Sequence, residues 1–291
     1  MIIEGAFLKL PELLLGHMFP MEQYEATLVN HLAMGILLEL SARSISLPMH
    51  RVHLERPYPK VSKSRFPGRA DLYVNLEGVF KGGLRDNLYG IKTHNWIEAK
   101  FFGGIGRQAG HQTKSGNAAK IVLDLFRLCL FVREERSKCR DNGRYLVIIF
   151  NRNPKDYLAF HRKNSAFPER EWLGLLLQPG DRQIQVTLEH EPYSFKKIFQ
   201  RAFVEYDPDL DFKLRFITWA FSPTDPLSQN LYWGYLIRVV DFDISFGGDK
   251  LIYKDSSQEV WSERQEKMQK QMIERTLEAQ IDGAVRGTSI K

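Results

Sequence analysis

Two neighbouring stretches of the chain alternate between polar and apolar residues with the two-residue period of a β-strand. In residues 69–76, Asp71 lies on the polar face, and leucine and valine side chains occupy the reverse. In residues 96–102, Glu98 and Lys100 share a face, with isoleucine, alanine and phenylalanine behind them. Because side chains two residues apart leave a strand on the same side, pairing of these strands would gather two carboxylates and one ammonium above an apolar layer.

Helical periodicity and apolar runs predict the elements around this strand pair. Leucine and isoleucine side chains four residues apart predict a helix over about residues 21–43. A first strand is predicted over residues 51–55, and a second helix over about residues 112–133. The continuous apolar run at residues 145–150 is typical of a strand buried on both faces. The expected fold class is therefore α/β, with a mixed central β-sheet flanked by helices.

The chain is expected to divide into three parts. Residues 1–160 would form the core, and this part would begin with an irregular arm at residues 1–19 that Pro11 interrupts. Residues 161–256 would form a β-rich extension, either integrated into this core or packed on it, and are a candidate for target recognition. Residues 257–291 mix acids and bases and predict a charged terminal helix followed by a tail.

Charge is unevenly distributed along the chain. The formal net charge is +6 and the isoelectric point is about 9.2, which favours an anionic partner. Residues 43–69 hold seven Lys or Arg and the single acid Glu55, and residues 100–120 hold four basic residues and no acid. Positive charge therefore flanks the acidic strand pair on both sides in sequence.

Cysteine content and apolar runs bear on the cellular setting. Cys129 and Cys139 are too few for a disulfide framework or a zinc site made of thiolates. A reducing, cytoplasmic setting is expected. We expect no signal peptide and no membrane partner, because no run approaches the roughly 18–20 apolar residues of a membrane span.

The acidic strand pair predicts a magnesium site for phosphodiester cleavage. Mg²⁺ prefers oxygen ligands and is held by one or two carboxylates together with water and substrate phosphate. A bound divalent ion neutralises the phosphate and lowers the pKa of water, and a neighbouring cation stabilises charge that develops in the transition state. Asp71, Glu98 and Lys100 supply these groups.

Asp71 followed by the triplet Glu98-Ala99-Lys100 resembles the signature of the PD-(D/E)xK nuclease superfamily. The resemblance covers roughly residues 20–150 and implies a restriction-endonuclease-like core. In that family the two acids bind one or two Mg²⁺ ions, for which Mn²⁺ substitutes, and the lysine orients the attacking water. The carbonyl of Ala99 is implied as a further ligand. Ala70 precedes Asp71, where the family signature has proline.

The resemblance also implies an acid from the first helix, and the basic segments on either side of the motif predict phosphate contacts. Many family members add a glutamate from that helix, and Glu25 is the first candidate here, followed by Glu22 and Glu39. Basic and amide side chains near the motif are predicted to meet nucleic-acid phosphates. These candidates are Lys60, Lys63, Arg65, Arg69, Arg107, Gln112 and Lys114.

The function expected from these features is Mg²⁺-dependent hydrolysis of duplex DNA by an endonuclease of the restriction or genome-defence type. A homodimer would suit cleavage of both strands at one locus. Two alternatives stay open: a non-catalytic nucleic-acid-binding or assembly module with the same fold, and a nuclease for RNA, branched DNA or transposon ends. In the plainest alternative, Glu98 and Lys100 are an exposed surface pair, worth about 0–1 kcal/mol, and the flanking bases are solvated.

Overall fold

A computed structural model of the chain describes eleven segments. They are residues 2–15, 25–58, 68–79, 92–103, 113–132, 142–160, 170–205, 210–223, 232–246, 250–253 and 258–261. The helices described are α1 (Ile2–Leu15), α2 (Glu25–Ala42), α3 (Lys114–Phe131), α4 (Pro154–Tyr157), α5 (Glu171–Leu176) and α6 (Tyr193–Ala202). The strands described are β1 (Val52–Pro57), β2 (Arg69–Asn75), β3 (His94–Phe102), β4 (Asn142–Phe150), β5 (Gly180–Thr187), β6 (Phe203–Glu205), β7 (Asp211–Phe221), β8 (Trp233–Ser245), β9 (Lys250–Tyr253) and β10 (Gln258–Trp261).

A mixed β-sheet forms the centre of the protein. Within the described segments it has seven strands in the order β1-β2-β3-β4-β8-β7-β5. Strands β3 and β4 are parallel, and the chain crosses between them through α3, as a parallel pair requires. The other neighbours are antiparallel. With helices packed on both faces, this sheet confirms the predicted α/β class.

Two hydrophobic layers hold the helices to the sheet. Helices α1 and α2 pack on one face, which includes Val147 of β4 and Ile97 of β3. Helices α3, α5 and α6 pack on the other face, which includes Ile148 of β4 and Trp96 of β3. The apolar run in β4 serves both layers, because alternate side chains point to opposite faces. This confirms the prediction of a strand buried on both sides.

Helix α1 replaces the irregular arm predicted for residues 1–19, which was wrong for Ile2–Leu15. Pro11 lies inside the helix, where it removes one backbone hydrogen bond. Packing against α2 compensates for this lost hydrogen bond. The two helices lie so close together that a Cβ added at Gly35 would lie only 3.2 Å from the Ala6 carbonyl oxygen. The buried hydrophobic side chains of α1 lie on one face of the helix: Ile2, Ile3, Ala6, Phe7, Leu10 and Leu14.

The β-rich region after residue 160 is integrated into the core sheet. Strand β8 pairs with β4 over seven residues, from Arg144↔Val239 to Phe150↔Trp233, and β7 and β5 continue the sheet outward. Of the two arrangements that the sequence left open, the structure has the integrated one.

The predicted terminal helix is wrong at its beginning. Residues 258–261 form β10, which pairs with β9 in a second sheet ordered β10-β9-β6. Residues 262–291 lie outside the described segments. Among the helices that are described, none has the length and apolar character needed to cross a membrane.

Candidate active site

Strands β2 and β3 separate where the predicted acids begin. Their pairing runs from Asn75↔His94 to Leu72↔Ile97. One step further, the same register sets Asp71 opposite Glu98, and residues directly opposite each other in an antiparallel pair share a face. Asp71 Oδ2 accepts a hydrogen bond of 2.7 Å from the backbone N–H of Ala99. The Asp71 carboxylate therefore lies at the end of the ladder, on the side of β3 that faces β2.

Glu98 is buried beneath this point. Glu98 is only 3% exposed, and the hydroxyl of Tyr58 donates a hydrogen bond to its Oε1. Tyr58 is itself buried, with its ring 5.7 Å from that of Trp96 and 5.4 Å from that of Phe131. Aromatic packing thus holds the hydroxyl group that orients the Glu98 carboxylate.

The pKa of Glu98 lies well above the ordinary value for a glutamate, chiefly because burial disfavours the charged form. The Arg127 guanidinium opposes this rise, while the negative charges of Asp124 and Asp71 add to it. A carboxyl group in this position is stabilised in its ionised form by any cation that enters the site.

Lys100 links acids from the two opposite faces of the sheet. Its Nζ lies 3.3 and 3.4 Å from the two carboxylate oxygens of Glu25 on α2, and 3.2 Å from Asp124 Oδ2 on α3. Burial alone lowers the pKa of Lys100, but the negative charges of Asp124, Glu25, Glu98 and Asp71 outweigh burial and raise it. The side chain is therefore a protonated ammonium at neutral pH.

Glu25 is the first-helix acid that the structure brings to Lys100. Burial raises its pKa, and Lys100 opposes that rise. Glu39, the third candidate, lies about 20 Å further along α2 at 1.5 Å per residue. It pairs with Lys9 at 2.7 Å and Arg43 at 3.0 Å, away from the strand pair. Glu22, the second candidate, lies outside the described residues.

Asp124 is a member of the site that the sequence analysis missed. It is buried on α3, where Oδ1 lies 3.4 Å from an Arg127 nitrogen, one turn further along the helix. Its neighbours on the same face, Ile121 and Leu125, are fully buried. An acid on the apolar face of an amphipathic helix was the available signal, because carboxylates are rarely buried without a partner.

The predicted phosphate contacts are described in part. Arg69 is exposed at the start of β2, two residues before Asp71. Lys114 is exposed, and its Nζ donates a 2.6 Å hydrogen bond to the carbonyl of Lys155. Lys120, which was not predicted, lies near the acids: burial lowers its pKa, and the charge of Lys100 lowers it further. The remaining candidates, Lys60, Lys63, Arg65, Arg107 and Gln112, lie outside the described residues.

The oxygen atoms around the end of β2 suit a hard divalent cation. The N–H and C=O of one strand residue point to the same neighbouring strand. Because the Ala99 N–H donates to Asp71, the Ala99 carbonyl also points towards Asp71. With Asp71 and Glu98, it offers only oxygen donors, as Mg²⁺ requires. Within the described segments, no three His, Cys, Asp or Glu side chains are arranged as a metal-binding group.

No protein-family model, curated protein or solved structure matches the chain. The fold and the site define an α/β protein with a cluster of carboxylates and cations around the end of one strand pair.

Proposed function

We propose that this protein is a Mg²⁺-dependent endonuclease that hydrolyses DNA phosphodiester bonds, of the restriction or genome-defence type. The observation that carries the proposal is the position of Lys100. Its ammonium lies within 3.4 Å of carboxylates from α2 and α3, next to the point where Asp71 and Glu98 share a side of the sheet. Acids and an ammonium grouped in this way are what metal-assisted phosphodiester cleavage uses.

The order of the elements supports the same proposal. From α2 to β4 the chain runs helix, three strands, helix, strand, with β2 and β3 antiparallel and β3 and β4 parallel. The resemblance to the PD-(D/E)xK superfamily implies a restriction-endonuclease-like core, and this is the order of elements expected of such a core. The acids of the motif lie on β2 and β3, as that resemblance implies.

Asp71, Glu98 and the carbonyl of Ala99 would hold the Mg²⁺ ion, with Mn²⁺ as a substitute and Glu25 as an additional acid from α2. A bound ion would neutralise phosphate charge and lower the pKa of water. The donor set fits such an ion, because it consists of oxygen atoms and includes two glutamates, Glu98 and Glu25, whose pKa is raised by burial and by the charges of Asp71 and Asp124.

Each side chain has a separate task in this proposal. The backbone N–H of Ala99 orients Asp71, and the Tyr58 hydroxyl orients Glu98, so neither carboxylate has to be fixed by substrate. Lys100 is held as an ammonium and supplies positive charge beside the scissile phosphate. Pre-positioned groups of this kind lower the barrier because their ordering precedes the reaction.

Duplex DNA is the proposed substrate, and basic side chains near the site support an anionic polymer. Net charge is +6, and Arg69 and Lys120 lie on the two elements that carry Asp71 and Asp124. Contacts between such side chains and phosphates supply most non-specific affinity for nucleic acid.

Cleavage of supercoiled plasmid tests the proposal. We expect nicked and linear products with Mg²⁺ or Mn²⁺ and none with EDTA. Glu98→Gln and Lys100→Met should each abolish cleavage, because one removes a metal ligand and the other the ammonium. The matched control is Glu77→Gln, an exposed acid just past the opposite end of β2.

The outcomes of this assay separate the proposal from its alternatives. Salt-sensitive DNA binding without cleavage under any metal would favour the non-catalytic module. Cleavage of RNA or of branched junctions in preference to plasmid would change the substrate but keep the site. Undiminished cleavage by both site variants would discard the assignment of the residues.

A further inference from the structure

Two acids hold Lys100, and they differ in environment. The Glu25 side chain is 44% exposed, whereas that of Asp124 is 6% exposed. Each lies between 3.2 and 3.4 Å from the same Nζ. A partly exposed ion pair is weak and is easily exchanged for water or another charge, while a buried pair is costly to break. The two contacts should therefore have different roles.

We propose that Asp124 is a positioning residue, whose buried carboxylate fixes the ammonium of Lys100 at the end of β3, while Glu25 is the partner that Lys100 releases. This inference rests on the proposed function and states which residue holds the Lys100 ammonium in place. Asp124 touches neither substrate nor metal in this proposal. It acts on the reaction only through the location of Lys100 Nζ.

The surroundings of Asp124 indicate that the acid is more than a helix-stabilising residue. It occupies the apolar face of α3, where Ile121 and Leu125 are completely buried. Replacing a buried ion pair by apolar residues of similar volume is often neutral or stabilising, so stability alone does not call for a carboxylate there. A carboxylate is needed if a cation on β3 must be held at one location.

Arg127 is a second cation beside the Asp124 carboxylate. Its guanidinium lies 3.4 Å from Asp124 Oδ1, while Lys100 Nζ lies 3.2 Å from Oδ2. Each oxygen of the buried carboxylate thus faces its own cation. Arg127 supplies a second positive charge beside the same carboxylate, and within the described residues Oδ2 is in ion-pair contact with Lys100 Nζ without a hydrogen bond.

A double-mutant cycle on the metal-free protein tests the anchor without reference to activity. Lys100→Met and Asp124→Asn should each lower Tm, and the double variant should lose at least about 3 °C less than the sum of the single losses. The same cycle between Lys100→Met and Glu25→Gln is the matched control and should be nearly additive, because that pair is half-exposed.

Cleavage kinetics then test whether the anchor positions Lys100. Asp124→Asn should lower kcat about 10–100-fold with KM within about twofold of wild type. Asn117→Ala is the control for damage to α3, since it removes the contact with the Tyr157 carbonyl and leaves Lys100 untouched. It should leave kcat unchanged below its Tm.

A second variant keeps the test open if Asp124→Asn does not fold. The double variant Asp124→Asn/Arg127→Met removes both charges of the helical pair, so no guanidinium is left without its carboxylate, and it should show the same loss of kcat. Additive losses in Tm, or a kcat unaffected by either variant, would overturn the inference. A wild-type protein that cuts no nucleic acid would instead overturn the proposed function, while the Tm cycle would still decide the anchor.

Discussion

At the scale of single residues, burial determines how the ionisable groups of this chain behave. Asp71, Glu98 and Lys100 follow from a two-residue period and could be predicted from the sequence as one polar face. Asp124 could not be joined to them, because its contact with Lys100 depends on how α3 lies on the sheet. A period describes one element, and an ion pair between a helix and a strand depends on the packing of both.

Cys129 provides a first residue-scale prediction. It is completely buried on α3, and burial raises the pKa of its thiol to about 12, with Arg144 opposing the rise. In a Cys139→Ser variant at pH 8, we expect no labelling of native protein by Ellman's reagent and one thiol per chain after denaturation. The thiolate is the reactive form, and both its population and its access are suppressed. Rapid labelling before denaturation would contradict the burial of Cys129.

Glu39 provides a second prediction, concerning stability and pH. Burial favours its neutral form, but hydrogen bonds from Lys9 and Arg43 outweigh burial, and its pKa is lowered. A carboxyl group whose pKa is lower in the folded than in the unfolded state stabilises the fold above the unfolded pKa, and this contribution is lost as pH falls through the folded value. Glu39→Gln should therefore reduce the free energy of unfolding by about 1 kcal/mol at pH 7.

Urea denaturation at two pH values checks this sign. The difference between wild type and Glu39→Gln should shrink when the pH is lowered from 7 to about 3. Glu12→Gln, at an exposed position of α1, is the matched control and should leave stability unchanged at both pH values. A gap that widens on acidification would mean that the direction of the Glu39 shift is wrong.

At the scale of elements, periodicity predicted those helices and strands whose own sequence dominates their structure. Helix α3 begins after Thr113, whose side chain accepts a hydrogen bond from the Gly116 N–H, and it continues along an apolar stripe. Helix α1 was missed because Pro11 is a local signal against a helix, whereas its stability comes from contact with α2. Strand β10 was missed for a similar reason, since its pairing with β9 outweighs a mixed-charge pattern.

A buried ion pair between the residues that precede α5 and α6, Arg170 and Glu191, carries the element-scale prediction. The side chains of Arg170 and Glu191 are each 1% exposed and lie 2.8 Å apart, and Arg170 also donates to the Ala159 carbonyl at 2.7 Å. Arg170→Met should lower the free energy of unfolding by about 3–5 kcal/mol, because it removes the guanidinium that compensates the buried charge of the Glu191 carboxylate.

The double variant Arg170→Met/Glu191→Gln is the control for this prediction. It should recover part of the loss, since no uncompensated charge stays buried. Urea unfolding of the single and double variants measures both effects. A single-variant loss below about 1 kcal/mol would show that water reaches Glu191 and that the pair is not sealed in the fold.

At the scale of the whole molecule, the order of strands was the feature that the sequence left most open. The alternation in β7 and β8 predicts strands but does not identify their neighbours, because every half-buried strand has the same period. The structure joins β4 to β8, so that the sheet extends from the edge strand β1, beside the acids, to the edge strand β5 on the far side. This arrangement separates two exposed arginines, Arg69 near one edge and Arg182 at the other.

That separation allows a test of where nucleic acid binds. Duplex DNA affinity should fall steeply with salt, by roughly 40-fold between 50 and 200 mM if about three phosphates are neutralised. The measurement uses the Glu98→Gln protein, so that no cleavage intervenes. Arg69→Gln should reduce the slope of log Kd against log salt by about 0.9, the value for one phosphate contact. Arg182→Gln removes the same charge from the opposite edge and should leave the slope unchanged. Equal effects of the two substitutions would indicate attraction by net charge alone and no defined DNA path beside Asp71, because only a contact at a fixed location makes one arginine matter more than the other.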